Sequence, residues 1–239
     1  MEDNHQLRRQ KYFTVQFPNM QQSPDALERA RKIKLLLFDV DGVLTDGTIW
    51  VLPPGGQAPD TPSSSAKTTG DGGFGVEAHS AVVELKGFSA HDGIGISLAR
   101  LAGLQLGLIT KRRSEAVRAR ARDLKIEHVY QAQAHKMDAV EDIMRKTGVS
   151  LEEIAFAGDD IVDLPVMRAC GLAIAPADAR AEALAAAQYI TPRNGGRGAG
   201  RDAVEFILQA QGKLESTVAR YIDPLDSTAR QSDIGQGNT

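Results

Sequence analysis

The chain has 239 residues, enough for one domain with extensions or for two small domains. Hydrophobic residues make up 42% and charged residues 25%, which is ordinary for a soluble globular protein, and a formal net charge of -3 gives no indication of nucleic acid or an anionic membrane as partner. The single cysteine, Cys170, excludes an intramolecular disulfide framework. No signal peptide is visible, and no apolar run approaches the ~20 residues of a membrane-spanning helix, so we expect a cytoplasmic protein.

The N-terminal third of the chain predicts one buried strand followed by a hairpin. Residues 1–22 are polar and are predicted to form an extension, and Ser23 starts a short helix. The apolar run at 35–38 is typical of a strand buried on both faces. Residues 48–51 and 81–86 then read as the two strands of a hairpin.

A long segment separates the two hairpin strands. Residues 52–80 are rich in Pro, Gly, Ser and Thr, so they cannot bury enough apolar surface to order themselves, and a mobile loop is predicted. The hairpin insertion therefore spans 48–86 with this loop at its tip.

From His91 onward strands and helices alternate. Strands are predicted at 104–109, 128–130, 154–157, 172–175 and 189–191, and helices at 93–102, 114–124, 137–147, 163–169, 179–187 and 200–211. Such alternation predicts an α/β fold, a doubly wound parallel sheet with helices on both faces. We expect one domain at 23–213, followed by a mobile C-terminal tail at 214–239.

Polar groups gather at the predicted strand ends. The set comprises Asp39 and Asp41 after the first core strand, Thr110 after a second, Asp159 and Asp160 after a third, Asp163 one helical turn on, and Lys136 at a helix start. The carboxyl ends of strands in a doubly wound sheet line one crevice, so these groups should meet there. The plainer alternative is that the acids form turns and helix caps.

The composition of this set indicates phosphoryl transfer. Clustered carboxylates repel one another, and a hard cation such as Mg²⁺ removes the conflict because its preferred ligands are oxygens. One aspartate can attack phosphorus, and a second aspartate two residues on can protonate the leaving group and later activate water. Thr110 and Lys136 would bind the phosphoryl oxygens.

Four segments match, in order, the motifs of the haloacid dehalogenase-like (HAD-like) phosphatase superfamily. They are DVDGVLTDG at 39–47, Ile109-Thr110, Lys136 and GDDIVD at 158–163. Three further segments resemble one subfamily, the 3-deoxy-D-manno-octulosonate 8-phosphate (KDO 8-phosphate) phosphatases: FSAHDG at 88–93, YQAQ at 130–133 and GGRGA at 195–199. The resemblance covers residues 25–215 apart from the 52–80 loop.

The resemblance implies roles for the matching residues. Asp39 is the implied nucleophile and Asp41 the implied general acid and base, while Asp39, the Asp41 backbone carbonyl and Asp159 are the implied Mg²⁺ ligands. Thr110 and Lys136 form the implied phosphate clamp. For Asp160 and Asp163, orienting the lysine or metal waters competes with plain helix N-capping.

The resemblance also implies substrate contacts and an assembly. Arg197 is the candidate for pairing with a substrate carboxylate. Arg112, His91 and Gly47 are further substrate-binding candidates, although Lys111 replaces the family glycine before Arg112 and predicts a reshaped turn. The family lacks a large cap domain, and its members pair their hairpins in a homotetramer that closes the site.

The implied function is Mg²⁺-dependent hydrolysis of KDO 8-phosphate through an aspartyl phosphate, in the synthesis of a lipopolysaccharide precursor. Two alternatives stay open on the sequence alone: a phosphatase for a nine-carbon nonulosonic or sialic acid 9-phosphate, and a non-catalytic regulatory homologue. The intact nucleophile and its partners argue against the second alternative, because a binding module needs no nucleophile.

Overall fold

A computed structural model describes residues 21–52 and 83–223 of the protein. Nearly all of the predicted N-terminal extension, the predicted mobile loop after Leu52, and the tail after Asp223 lie outside these described residues.

Seven strands of the described chain form one sheet. They are β1 (Gln21–Gln22), β2 (Leu35–Phe38), β5 (Gln105–Ile109), β6 (His128–Tyr130), β7 (Ile154–Ala157), β8 (Leu172–Ala175) and β9 (Tyr189–Ile190), and β3 (Trp50–Leu52) and β4 (Val83–Leu85) form a separate pair. The sheet order is β1-β9-β8-β7-β2-β5-β6, with β1 antiparallel and the other six strands parallel. The prediction of a parallel α/β sheet is confirmed.

Helices cover both faces of the sheet. The described residues hold α1 (Ala26–Lys32), α2 (Ala90–Leu101), α3 (Glu115–Asp123), α4 (Lys136–Thr147), α5 (Leu164–Ala169), α6 (Ala181–Ala186), α7 (Ala199–Ala210) and α8 (Leu214–Ile222). Apolar residues of α1, α2, α3 and α7 pack on one face, and those of α4, α5 and α6 on the other. No helix within residues 21–52 or 83–223 is long and apolar enough to span a membrane.

The central strand β2 has no exposed face. Leu36 and Phe38 belong to one core cluster, whereas Leu35 and Leu37 belong to the other, as the two-residue period of a strand requires. β2 pairs with β5 on one side and with β7 on the other. The chain order reverses around β2, so the carboxyl ends of these three strands open onto one crevice.

The hairpin stands apart from this sheet. β3 and β4 pair antiparallel with Leu52 opposite Val83, which confirms the predicted hairpin. The hairpin strands and the residue before them expose large apolar side chains. These residues are Ile49, Trp50, Val51, Leu52, Val83 and Leu85.

Two segments differ from the sequence prediction. Residues Leu214–Ile222 form helix α8, so the predicted mobile tail is wrong for these residues. Leu214, Val218 and Tyr221 recur at helical spacing and pack against the core, and this burial stabilises a helix in an otherwise polar segment. At the other end, residues 21–22 pair with β9 and so belong to the sheet edge.

We predict that Phe206→Ala lowers the free energy of unfolding by about 3–5 kcal/mol, because it removes a buried ring and leaves a cavity. Phe206 stacks on Tyr189 with ring centroids 4.0 Å apart, and both side chains are buried. Urea denaturation followed by circular dichroism measures the change. The matched control is Ile222→Ala at an exposed helical position, which should stay within about 0.5 kcal/mol of the parent. Equal effects of the two substitutions would contradict this account of the core.

Candidate active site

The loop after β2 presents two aspartates at the carboxyl edge of the sheet. Asp39 is buried, and its Oδ1 accepts a hydrogen bond of 2.7 Å from the Val40 N–H. The carbonyl of Val40 accepts from the N–H groups of Val43, Leu44 and Thr45, at 3.3, 3.0 and 3.0 Å. This compact turn fixes the backbone through Asp41.

Gly42 allows Asp159 to approach this turn. Gly42 has a φ of +93°, and a Cβ at this position would lie 2.1 Å from Asp159 Oδ2. A residue with a side chain would therefore displace the carboxylate from the end of β7. Asp159 Oδ1 is buried and has no hydrogen-bond partner among the described residues.

Lys136, at the start of α4, contacts acidic side chains from the segments that follow β2 and β7. Its buried Nζ lies 2.8 Å from Asp39 Oδ1 and 2.6 Å from Asp163 Oδ1. Asp163 Oδ2 in turn accepts hydrogen bonds from the N–H groups of Asp159 and Asp160, at 3.0 and 3.2 Å. Asp163 thus orients the lysine and also holds the loop after β7.

The site carries more negative than positive charge. Burial raises the pKa of Asp39 to about 6 against the opposing attraction of Lys136. Burial, with repulsion from Asp39 and Asp163, raises the pKa of Asp159 to about 8. Burial alone would lower the pKa of Lys136, but the carboxylates of Asp39 and Asp163 outweigh it and raise that pKa. One ammonium therefore does not neutralise three neighbouring carboxylates.

The same carboxylates fit a hard divalent cation. One oxygen each from Asp39, Asp159 and Asp163 lie within 4.8 Å of one another. The unpartnered Asp159 Oδ1 is an oxygen donor of the kind that Mg²⁺ prefers. Both oxygens of Asp163 already accept hydrogen bonds, whereas Asp159 Oδ1 accepts none, and this favours Asp159 over Asp163 as a ligand of the ion.

Thr110 lies at the end of β5, where the sequence predicts it. It is buried, and its Oγ1 accepts a hydrogen bond of 3.2 Å from the Arg112 N–H. Lys111 is not among the non-glycine residues with positive φ, which are Lys125 and Ala132 in the described ranges. The turn after β5 in this chain therefore does not require the freedom of glycine at position 111, and its reshaping relative to the family turn stays a prediction.

Arg112 and Asp160 contact neighbours other than the carboxylate cluster. Arg112 Nη2 lies 3.3 Å from Glu84 Oε2 on the hairpin. Asp160 is exposed, and its Oδ1 accepts a hydrogen bond of 2.6 Å from the Ile161 N–H. This contact is the N-capping interaction that competed with a metal-side role for Asp160.

The glycine-rich segment before α7 lies against the loop after β2. The Gly196 N–H donates to the Val43 carbonyl at 2.9 Å, and a Cβ on Gly195 would lie 1.8 Å from the Gly42 carbonyl oxygen. This contact brings Arg197 beside Asp46, with 3.5 Å between Nη2 and Oδ2.

A pocket of about 360 Å³ opens between this segment and the start of α2. Its lining includes Arg197 and His91, two predicted substrate-binding residues, together with Asp46, Gly87, Phe88, Ser89 and Gly196. Gly47 is absent from the lining; it forms an exposed turn with a φ of +75°. The structure thus brings Arg197 and His91 together and places Arg112 by the hairpin.

Comparison with known proteins identifies the family. A model of haloacid dehalogenase-like hydrolases matches residues 110–200. The 3-deoxy-D-manno-octulosonate 8-phosphate phosphatase of Salmonella typhimurium is 36% identical over 200 residues, which cover 84% of this chain and 92% of the relative. The chain belongs to the KDO 8-phosphate phosphatase family.

Solved structures of similar proteins agree with this assignment. The Yersinia pestis KDO 8-phosphate phosphatase is 36% identical with a TM-score of 0.66, covering 80% of this chain and 89% of its own. The Moraxella catarrhalis enzyme, solved with magnesium, phosphate and KDO, is 31% identical with a TM-score of 0.67, covering 82% and 98%. The protein is therefore a phosphatase with a HAD-like fold.

The sequence analysis assigned no role to two buried charged residues of this phosphatase. The side chain of Lys86 is 0% exposed and forms an ion pair with Asp41 Oδ1. Asp92 is buried, and its Oδ1 accepts a hydrogen bond of 2.9 Å from the Arg201 N–H in the first turn of α7. The only sequence signal was position: Lys86 ends a predicted strand, and Asp92 lies in a family motif.

We predict that Gly42→Ala weakens Mg²⁺ binding by at least about tenfold, because its Cβ displaces the Asp159 carboxylate. Isothermal titration calorimetry with Mg²⁺ measures the affinity without requiring turnover. Gly103→Ala is the matched control, since Gly103 also has positive φ (+84°) but nothing lies within 4 Å of its Cβ position. Both variants carry backbone strain, so only a difference between them reports the contact with Asp159. Unchanged affinity in Gly42→Ala would contradict Asp159 as a metal ligand.

Proposed function

We propose that this phosphatase hydrolyses KDO 8-phosphate to the free sugar acid and phosphate through an aspartyl phosphate on Asp39. The observation that carries the proposal is the buried Asp39, 2.8 Å from Lys136, in a member of this family. The magnesium, phosphate and KDO bound to the Moraxella catarrhalis relative support the same chemistry.

The first step transfers the phosphoryl group to the enzyme. Thr110 and Lys136 bind the phosphoryl oxygens and hold phosphorus beside Asp39. Val40 and Lys136 both contact Oδ1 of Asp39, so Oδ2 is the attacking oxygen. As the Asp39 O–P bond forms, the P–O bond to the sugar breaks, and Asp41 donates a proton to the leaving alkoxide.

The second step releases phosphate. Asp41, now a carboxylate, takes a proton from a water molecule, whose oxygen attacks phosphorus. The bond between phosphorus and Asp39 Oδ2 breaks, inorganic phosphate leaves, and both aspartates return to their starting state. Lys136 stays charged in both steps because the two neighbouring carboxylates raise its pKa.

The carboxylates of Asp39 and Asp159 and the backbone carbonyl of Asp41 would hold Mg²⁺. When bound, the ion neutralises charge on the phosphoryl group. Asp163 is the residue that orients Lys136. Asp160 stabilises the loop after β7 by accepting a hydrogen bond from the Ile161 N–H. Removing the metal with a chelator should therefore abolish turnover, and added Mg²⁺ should restore it.

Recognition of the sugar acid falls to the pocket that Asp46, in the loop after β2, helps to line. Arg197 pairs with the substrate carboxylate and His91 contacts the sugar, since both line that pocket. Arg112 and Gly47 contribute from the hairpin side and from the loop after β2. The product supplies a lipopolysaccharide precursor, and the enzyme works in the cytoplasm.

Asp39→Asn should reduce phosphate release to background while leaving the protein folded, because it removes the nucleophile and keeps the side-chain volume. Phosphate release with Mg²⁺ from KDO 8-phosphate, a nine-carbon sugar-acid 9-phosphate and an aryl phosphate measures both mechanism and preference. We expect the highest kcat/KM for KDO 8-phosphate. A clear preference for the nine-carbon ester would overturn the substrate, and activity retained by Asp39→Asn would overturn the covalent mechanism.

The exposed hairpin supports a homotetramer. A contiguous group of large apolar side chains on a two-stranded element is typical of a surface covered in an assembly, because such a hairpin is marginally stable alone. Pairing of hairpins between subunits would bury these residues and close the site of a phosphatase without a large cap domain.

We expect the double substitution Trp50→Ser, Leu85→Ser to lower the oligomeric state, because these residues face each other across the hairpin and both are exposed. Light scattering coupled to size-exclusion chromatography gives the mass in solution. Ile222→Ser, at an exposed apolar position outside the hairpin, is the control and should keep the parent mass. A parent protein that elutes as a monomer would contradict the assembly.

A further inference from the structure

Lys86 is a buried cation at the base of the hairpin. Its side chain is 0% exposed, and its Nζ forms an ion pair with Asp41 Oδ1 and lies 3.6 Å from Glu84 Oε1. Burying an ammonium group is costly unless carboxylates compensate it. Both compensating partners are present, so attraction to the two carboxylates holds the Lys86 ammonium group at this position.

Asp41 has few other constraints. Asp39 is fixed by the Val40 N–H and by Lys136, and Asp163 is fixed by Lys136 and two backbone N–H groups. In the described part of the chain, Lys86 is the only side chain that forms a hydrogen bond or ion pair with Asp41. The orientation of the Asp41 carboxyl group therefore depends on Lys86.

We infer that Lys86 is a positioning residue, which holds the carboxyl group of Asp41 where it exchanges a proton with the leaving alkoxide and with the attacking water. This inference rests on the proposed role of Asp41 as general acid and base. It assigns to the hairpin a part in the chemistry, because Lys86 directly follows β4.

A chain of alternating charges supports this role. Arg112 Nη2 lies 3.3 Å from Glu84 Oε2, Glu84 Oε1 faces Lys86, and Lys86 contacts Asp41. Glu84 thus restrains the lysine from one side and Arg112 restrains Glu84. The chain connects the loop after β5 to the general acid through the hairpin.

Substrates with different leaving groups can show whether Lys86 positions Asp41 or has another role. Sugar and simple alkyl phosphates release an alkoxide, which needs a proton, whereas p-nitrophenyl phosphate releases a stable anion that does not. Because kcat/KM reports the steps through leaving-group departure, a misplaced general acid lowers it selectively for the alkyl esters.

The experiment compares Lys86→Met with the parent on KDO 8-phosphate, glycerol 1-phosphate and p-nitrophenyl phosphate. Methionine keeps the apolar stem and removes the charge. We expect kcat/KM to fall by about 10- to 100-fold for both alkyl esters and by less than about threefold for the aryl ester. Lys86→Arg, which keeps the charge, should recover most of the activity.

Two controls test whether the effect of Lys86→Met acts through Asp41. Lys34→Met removes an exposed lysine that pairs with Glu153 at 2.5 Å, and it should change none of the three values. In an Asp41→Asn background, Lys86→Met should add little further loss, because the group it positions is already absent. If Lys86→Met does not fold, judged by circular dichroism, Lys86→Gln serves in its place because it retains an N–H donor.

Other outcomes would overturn the inference. Equal losses on all three esters would make Lys86 structural, a loss confined to KDO 8-phosphate would make it a substrate ligand, and full activity would make it dispensable. If Asp41→Asn itself loses activity selectively on the alkyl esters while Lys86→Met does not, only the inference about Lys86 fails. If Asp41→Asn shows no such selectivity, the proposed acid role of Asp41 fails together with the inference.

Discussion

The site depends on one imbalance of charge: three neighbouring carboxylates share a single buried ammonium. Asp39 and Asp163 each contact Lys136, while Asp159 keeps a buried oxygen without a partner among the described residues. In surroundings of low polarity such an excess of negative charge is unfavourable, and the raised pKa values of Asp39 and Asp159 express that cost. A divalent cation bound by these carboxylates relieves the imbalance.

The fold maintains this arrangement because the residues of the site lie in the segments that directly follow strands of the buried sheet. β2 is buried on both faces and paired on both edges, so Asp39 directly follows a strand with little freedom to move. Gly42 lets Asp159 approach from β7, and Asp163 uses one carboxylate to hold both the lysine and the loop after β7. Each support comes from a neighbouring strand end, which explains why the chemistry lies at the reversal point of the sheet.

The hairpin side of the site, with Lys86 and its partner Asp41, packs less against the core. The hairpin makes few contacts with the sheet and exposes its apolar side chains, yet Lys86 at its base contacts Asp41. The proposed nucleophile, Asp39, thus belongs to the sheet, whereas the proposed general acid, Asp41, is linked to the hairpin that the proposed assembly would cover. This division offers a physical reason for the proposed assembly through the hairpins.

From the sequence alone one could predict the strand–helix alternation, the burial of residues 35–38 and which polar groups follow the strands. These features are local, because periodicity reports burial and acids that directly follow an apolar run lie at the end of the strand. Which charged side chains meet could be seen only in the folded chain. Asp163 with Lys136, Asp160 as a cap, Lys86 with Asp41 and Arg112 with Glu84 all depend on side-chain direction across distant elements. Helix α8 was missed for a similar reason, because its three apolar residues stabilise a helix only against a core that the rest of the chain supplies.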